Sequence, residues 1–147
     1  ISDSQFNWLQ AELRRRKECR HGLLVELDAS LLLERPELAE KMQRLKDLGI
    51  TLVLSDEYGG LSRIEALQCY PATMLRIPFG AVENVPSKTF MELLQPWYHS
   101  GRSLIVDRVL NTDAVAQLWA MEIAYLQGDA LAASSPRLDY QFIEHGL

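Results

Sequence analysis

Two hydrophobic periods alternate along this chain, and that alternation restricts the fold more than any other feature. Short apolar runs at 23–27, 50–54, 73–77, 103–107 and 123–127 read as strands. Segments of helical period separate them. Residues 4–17 place Phe6, Leu9 and Leu13 on one face, and 36–48 do the same with Leu38, Met42, Leu45 and Leu48. The second of these is well marked at both ends: Pro36 suits a first turn, Glu37 and Glu40 favour the N-terminal dipole, and Gly49 suits the C-terminal cap. A short helix is expected over 62–68, ended before Pro71. Another starts from Ser87 as N-cap and runs through Phe90, Leu93 and Leu94, with Pro96 bending or ending it; a last helix covers 113–120. From Asp129 the chain becomes a tail with little periodicity. Five strands separated by helices predict parallel βα units, either a doubly wound sheet or part of a barrel.

Composition narrows the class without naming a function. A chain of 147 residues is long enough for one domain with a real core, and 48% hydrophobic with 24% charged residues is ordinary for a soluble globular protein. No apolar run approaches the roughly 20 residues of a membrane span. The start, Ile1-Ser2-Asp3-Ser4, is polar and unlike a signal peptide; the missing initiator Met fits a processed or partial chain. A net charge of −5 argues against binding a nucleic-acid polymer. Cys19 and Cys69 have neither CxxC spacing nor a disulfide-framework pattern, which points to reduced thiols and a cytoplasmic location. His21, His99 and His145 lack ligand spacing and read as surface residues. Trp97, Tyr98 and Trp119 read as helix-face core rather than a partner patch, and Arg14 to Lys17 as a solvated helix end.

Chemistry concentrates where strands end. Asp56, Asp107 and Gln127 close three strands, Arg76 stands near the end of a fourth, and the first carries Glu26. In a parallel sheet such positions converge on one rim, where α/β proteins place ligand sites. The stretch Gly49-Ile-Thr-Leu-Val-Leu-Ser-Asp-Glu-Tyr-Gly-Gly60 delivers acidic side chains into a glycine turn, a layout suited to a metal or phosphate site. Ser55 stands where a two-metal site wants a second carboxylate. It has no nearby His and no nucleophile-elbow pattern, so a serine hydrolase is not indicated.

Read together, Val25-Glu-Leu-Asp-Ala-Ser30, the 49–60 stretch, Met74-Leu-Arg-Ile77, Leu104-Ile-Val-Asp-Arg-Val109 and Tyr125-Leu-Gln-Gly128 resemble successive signatures of the EAL family, in order and spacing over most of the chain. The resemblance implies a TIM-type (β/α) barrel of which about five parallel strands remain, residues 1–147 being a partial domain at the C-terminal end of a longer multidomain protein. A closed eight-strand barrel is out of reach for five strands, so an open edge or self-association is expected. Glu65-Ala66-Leu67 spells the family name but falls on a helix, not on the strand that carries the signature.

Members of the family hydrolyse cyclic di-GMP with two divalent metals, and this sequence departs from them at the matching positions. Glu26 matches a metal-binding Glu, but Ala29 replaces an acidic residue. The Asp-Asp pair becomes Ser55-Asp56, the strand lysine becomes Arg76, and the acidic residue after it becomes Pro78. Ala-Glu-Gly-Val-Glu becomes Val106-Asp-Arg-Val-Leu110, while Gln127-Gly128 is kept. Two-metal hydrolysis needs several carboxylates to hold its cations, so the resemblance implies a degenerate, non-catalytic domain with no metal and no required cofactor. It further implies a cyclic di-GMP receptor with Glu26, Asp56, Arg76, Asp107 and Gln127 as ligand-binding candidates, and Arg108 as a second phosphate-facing cation. Arg76 has an alternative reading, an ion pair with Asp56 or Asp107. The tail Leu138-Asp-Tyr-Gln-Phe142 is similar to the end of degenerate EAL domains of the FimX type, which regulate type IV pili and twitching motility and dock a PilZ-domain protein. The alternative is a nucleotide-independent protein-interaction module on a vestigial EAL scaffold.

Overall fold

The computed structural model describes residues 2–17, 22–58 and 60–132. Helix α1 (Asp3–Arg15) opens on a capping box in which Ser2 and Gln5 satisfy each other's backbone, and it buries Phe6 and Leu13. Strand β1 (Leu24–Asp28) leads directly into α2 (Ala29–Glu34). Periodicity gives no sign of α2, but its cap is legible: Asp28 Oδ1 accepts from Ser30 N at 2.7 Å and Leu31 N at 3.4 Å. Helix α3 (Leu38–Asp47) buries Leu38, Met42 and Leu45, as its sequence predicts. Gly49, at φ 86°, closes it: its N–H reaches Lys46 O, and Ile50 N–H reaches Leu45 O, the paired bonds of a Schellman motif.

Strand β2 (Thr51–Ser55) follows, then a 3₁₀ turn (Gly60–Arg63), the single turn α4 (Ile64–Leu67) and strand β3 (Met74–Pro78). Glu65-Ala66-Leu67 does lie on this helix. Helix α5 (Ser87–His99) departs from expectation at its start. Ser87 is its first helical residue rather than its cap, and Pro96 sits inside it without ending it. The lost proline donor is outweighed by anchoring: Phe90, Leu94 and Trp97 are fully buried, and Trp97 Nε1 donates to Ser103 O at 2.9 Å. Strand β4 (Ser103–Asp107), helix α6 (Thr112–Ala120) and the two-residue strand β5 (Tyr125–Leu126) complete the order. Asn111 caps α6 by accepting from Ala114 N at 2.8 Å.

All strands are parallel and the sheet order is β1-β2-β3-β4-β5. A doubly wound sheet reverses direction at a switch point; this one never does, so the five strands form an arc of a barrel. Register separates the faces. Leu52, Leu54, Leu75, Ile77, Leu104 and Val106 share the outer face and are fully buried beneath the helices. The inner face carries Leu24, Glu26, Val53, Ser55, Met74, Arg76, Ile105 and Asp107, several of them partly open to solvent. Trp97 is core, as expected, but Trp119 is not. It is 65% exposed on α6, because Ala114, Val115 and Leu118 form the buried face of that helix. Arg14 to Lys17 is solvent-exposed, and among the described histidines His99 is at the surface. Among the described residues no helix is long and apolar enough to cross a membrane. Cys19, His21, His145 and Leu138 to Phe142 lie outside the described residues.

Candidate functional site

Glu26, Ser55, Arg76 and Asp107 come from four consecutive strands, and register places all four on the inner face. They climb it diagonally. Glu26 is level with Val53, Arg76 with Ser55 and Ile105, and Asp107 with Pro78. The Arg76 guanidinium spans this diagonal: Nη1 donates to Asp107 Oδ2 at 2.9 Å, and Nη2 donates to Glu26 Oε1 across the intervening strand β2. The side chain in β2 level with Arg76 is the short Ser55. Of the two expected partners, Asp56 and Asp107, Arg76 takes Asp107; its second partner is Glu26, fifty positions away in sequence, which the sequence reading does not anticipate. Arg76 Nε and Asp107 Oδ1 are buried and accept or donate no hydrogen bond among the described residues.

Asp56 does not join this cluster. It is only 1% exposed, held where its N–H donates to Arg76 O at 2.8 Å, and its carboxylate faces Arg63 Nη1 at 3.6 Å. Arg63 also donates to Ser30 Oγ at 2.9 Å, tying the turn after β2 to the start of α2. Sequence reasoning missed Arg63. It falls in the 3₁₀ turn after the glycines, and nothing local pairs it with a residue seven positions earlier and another thirty-three away.

The loop after β4 carries a second surprise. Arg108 adopts φ 57°, a left-handed conformation that costs a residue with a Cβ roughly 1–2 kcal/mol. The family pattern places glycine there. Arg108 Nη2 reaches Glu57 Oε1 at 2.8 Å, so an ion pair joins the loops following β2 and β4. That hydrogen bond and charge, with Asp107 behind it, push the Arg108 guanidinium above its usual pKa. Gln127 stands just past β5 with its side chain exposed. Its backbone is fixed, since its N–H donates to Val106 O at 2.9 Å and its carbonyl accepts from Val109 N at 3.1 Å. Gly128, at φ 149°, lies so close to Val109 that a Cβ would fall 2.3 Å from Val109 O.

Thus Glu26, Arg76 and Asp107 meet, Asp56 is buried beside them on a different cation, and Gln127 lines the far end of the rim. The set does not fit a pair of divalent metals. Its two inner carboxylates are both engaged by one guanidinium, and the next strand offers a hydroxyl. Among the described residues no three His, Cys, Asp or Glu side chains are grouped to share an ion.

A family model described as EAL domain matches residues 2–134. An uncharacterized 76.5 kDa protein of Thiocystis violacea is 22% identical over 138 residues, covering 93% of this chain and 20% of that protein. An uncharacterized protein of Azorhizobium caulinodans is 30% identical over 127 residues, covering 79% of this chain and 17% of its own length. Among solved structures, the FimX EAL domain from Pseudomonas aeruginosa bound to c-di-GMP superposes with a TM-score of 0.81 at 19% identity, over 97% of this chain and 61% of that one. The FimX EAL domain of Xanthomonas citri in complex with c-di-GMP gives 0.80 at 14% identity, over 96% and 58%. The chain therefore spans about a fifth of these curated relatives and about three-fifths of these solved domains. At such identities the structural likeness is one of fold.

Proposed function

The chain belongs to the EAL domain family, and on that premise we propose that it receives cyclic di-GMP without hydrolysing it and relays the bound state to a protein partner. The observation that carries this reading is Arg76 held between Glu26 and Asp107. Two-metal phosphodiester hydrolysis needs carboxylates free to fix two cations and generate hydroxide. Here the carboxylates that match family ligands are engaged by an arginine, and Ser55, Ala29 and Leu110 supply none. No cofactor is required in this scheme.

The ligand candidates keep their roles in the proposal. Glu26, Asp56, Arg76, Asp107 and Gln127 line or underlie the rim, and Arg108 and Arg63 add cations beside it. With Arg76 engaged twice, the phosphates of cyclic di-GMP are better served by Arg108, whose side chain is half exposed. The guanine bases would meet the exposed Leu24 of the inner face and the exposed Tyr58. The likeness in fold to FimX EAL domains supports placing the chain at the C-terminal end of a longer cytoplasmic regulator of type IV pili and twitching motility that docks a PilZ-domain protein. A second reading is a nucleotide-independent interaction module; the exposed Trp119 favours it, and the open inner face offers a surface for self-association.

Calorimetric titration of the protein with cyclic di-GMP, with and without Mg²⁺, and chromatography of the nucleotide afterwards test the proposal. Metal-independent heat with intact nucleotide is expected. Linearised product in the presence of Mg²⁺ would refute the non-catalytic reading, and absence of binding heat would favour the interaction module.

A further inference from the structure

The metal that the fold family implies and the residues at this rim disagree, and the disagreement has a definite form. We infer that Arg76 is a built-in counter-cation: it occupies the place of a divalent ion between Glu26 and Asp107, so the rim is compensated from within the chain and takes no divalent metal. A guanidinium suits that task. It is planar, presents its donors in a fixed fork, and can serve two carboxylates lying in different directions. Nη1 and Nη2 do this, one reaching β4 and the other reaching over β2 to β1. On the β4 side the position is sheltered, with Asp107 buried and Arg76 mostly so, which keeps that pair from being screened as a surface pair would be, while Glu26 is the more open partner.

Permanence is the second part. A lysine between two carboxylates and an incoming metal can relieve the repulsion by losing its proton. Arginine does not deprotonate in proteins, so the charge stays. A divalent ion approaching Glu26 and Asp107 must then either displace the guanidinium from both bonds or sit against a like charge. Neither alternative has a compensating ligand nearby. Asp56 faces Arg63 and Glu57 faces Arg108, so the neighbouring carboxylates are also matched to arginines. Three arginines, from β3, from the turn after β2 and from the loop after β4, thus do by covalent attachment what bound cations do elsewhere.

The inference does not depend on nucleotide binding, and its test contains no nucleotide. MnCl₂ would be titrated into the protein and free Mn²⁺ followed by electron paramagnetic resonance, for wild type, Arg76→Met and Arg76→Lys, with circular dichroism melts reporting folding. Wild type should show no saturable site tighter than about 1 mM, whereas Arg76→Lys, whose ammonium can yield its proton to an incoming ion, should bind more tightly than wild type and less tightly than Arg76→Met. Arg76→Met, similar in length but uncharged, leaves two uncompensated carboxylates and should bind Mn²⁺ at least about tenfold more tightly than wild type. A saturable wild-type site that disappears in Asp107→Asn would overturn the inference. So would a folded Arg76→Met with no gain over wild type. If Arg76→Met does not fold, the wild-type and Asp107→Asn titrations still decide: absence of a Mn²⁺ site in wild type supports a resident cation, and a wild-type site that is lost in Asp107→Asn refutes it.

Discussion

Replacing Gly128 with alanine should cost about 3–5 kcal/mol, a large effect for one methyl group. The added Cβ would meet Val109 O at 2.3 Å, Val109 N at 2.4 Å and Val109 C at 2.9 Å, whereas ordinary contact begins at 3.4 Å. One backbone must therefore retreat by about 1 Å, and neither is free to do so. Val109 N donates to Gln127 O at 3.1 Å and Ala130 N donates to Val109 O at 3.0 Å, so separating the segments weakens both bonds. Two such bonds contribute about 1 kcal/mol each, and overpacking strain adds roughly 1–3 kcal/mol. Urea unfolding followed by tryptophan fluorescence would give the midpoint and slope, and the melting temperature should fall by about 10 °C at roughly 2–4 °C per kcal/mol. Two controls separate contact from backbone freedom. Gly49→Ala has open space but φ 86°, and should lose only about 1–2 kcal/mol. Gly80→Ala has open space and no positive φ, and should be nearly neutral. If Gly128→Ala unfolds within about 1 kcal/mol of Gly80→Ala, the close approach of the 128 and 109 backbones is wrong.

Helix α6 ends with the same paired bonds as α3, Glu122 N to Trp119 O and Ile123 N to Leu118 O, but with Glu122 at φ 59° in the glycine position. Glu122→Gly should therefore raise stability by about 0.5–1 kcal/mol, measured in urea, the relief of strain being partly offset by unfolded-chain entropy. Tyr98 has a buried hydroxyl without a hydrogen-bond partner among the described residues, and burial, followed by the charge of Glu122, raises its pKa above 10.0. A phenol with a raised folded pKa contributes stability that is present below the unfolded value and lost as pH rises through the folded one. Tyr98→Phe should be neutral or stabilising at pH 7 and should flatten the fall in stability above pH 10, followed by thermal melts across that range. Trp97→Phe loses the bond to Ser103 O and the Arg102 guanidinium stacked 4.7 Å from the ring centroid, and should cost about 1–3 kcal/mol with α5 still helical by circular dichroism.

Much of the architecture could be read from the chain alone because it rests on local periods. The five strands fall within a residue or two of their expected places: β1, β2 and β3 each move by a single position, β4 is in its expected place, and β5 is shortened to two residues. Gly49 was readable as a cap because a left-handed residue after Leu48 has few other causes. The departures at Ser55, Arg76 and Leu110 were equally visible, since they are changes of residue type against a family pattern. Periodicity is blind, however, to whatever depends on a sum of crossovers. Only the sheet order told a barrel arc from a doubly wound sheet. Only burial by distant segments carried α5 through Pro96, and left Trp119 in solvent. The partners of Arg76 illustrate the limit best: Asp107 and Glu26 lie thirty-one and fifty positions away, and the offset of β1 against β3 and β4 decides that one guanidinium reaches both. Sequence determined which charges this rim contains; tertiary register decided which of them neutralise one another, because ion pairing is set by distances of a few ångströms that no local pattern encodes.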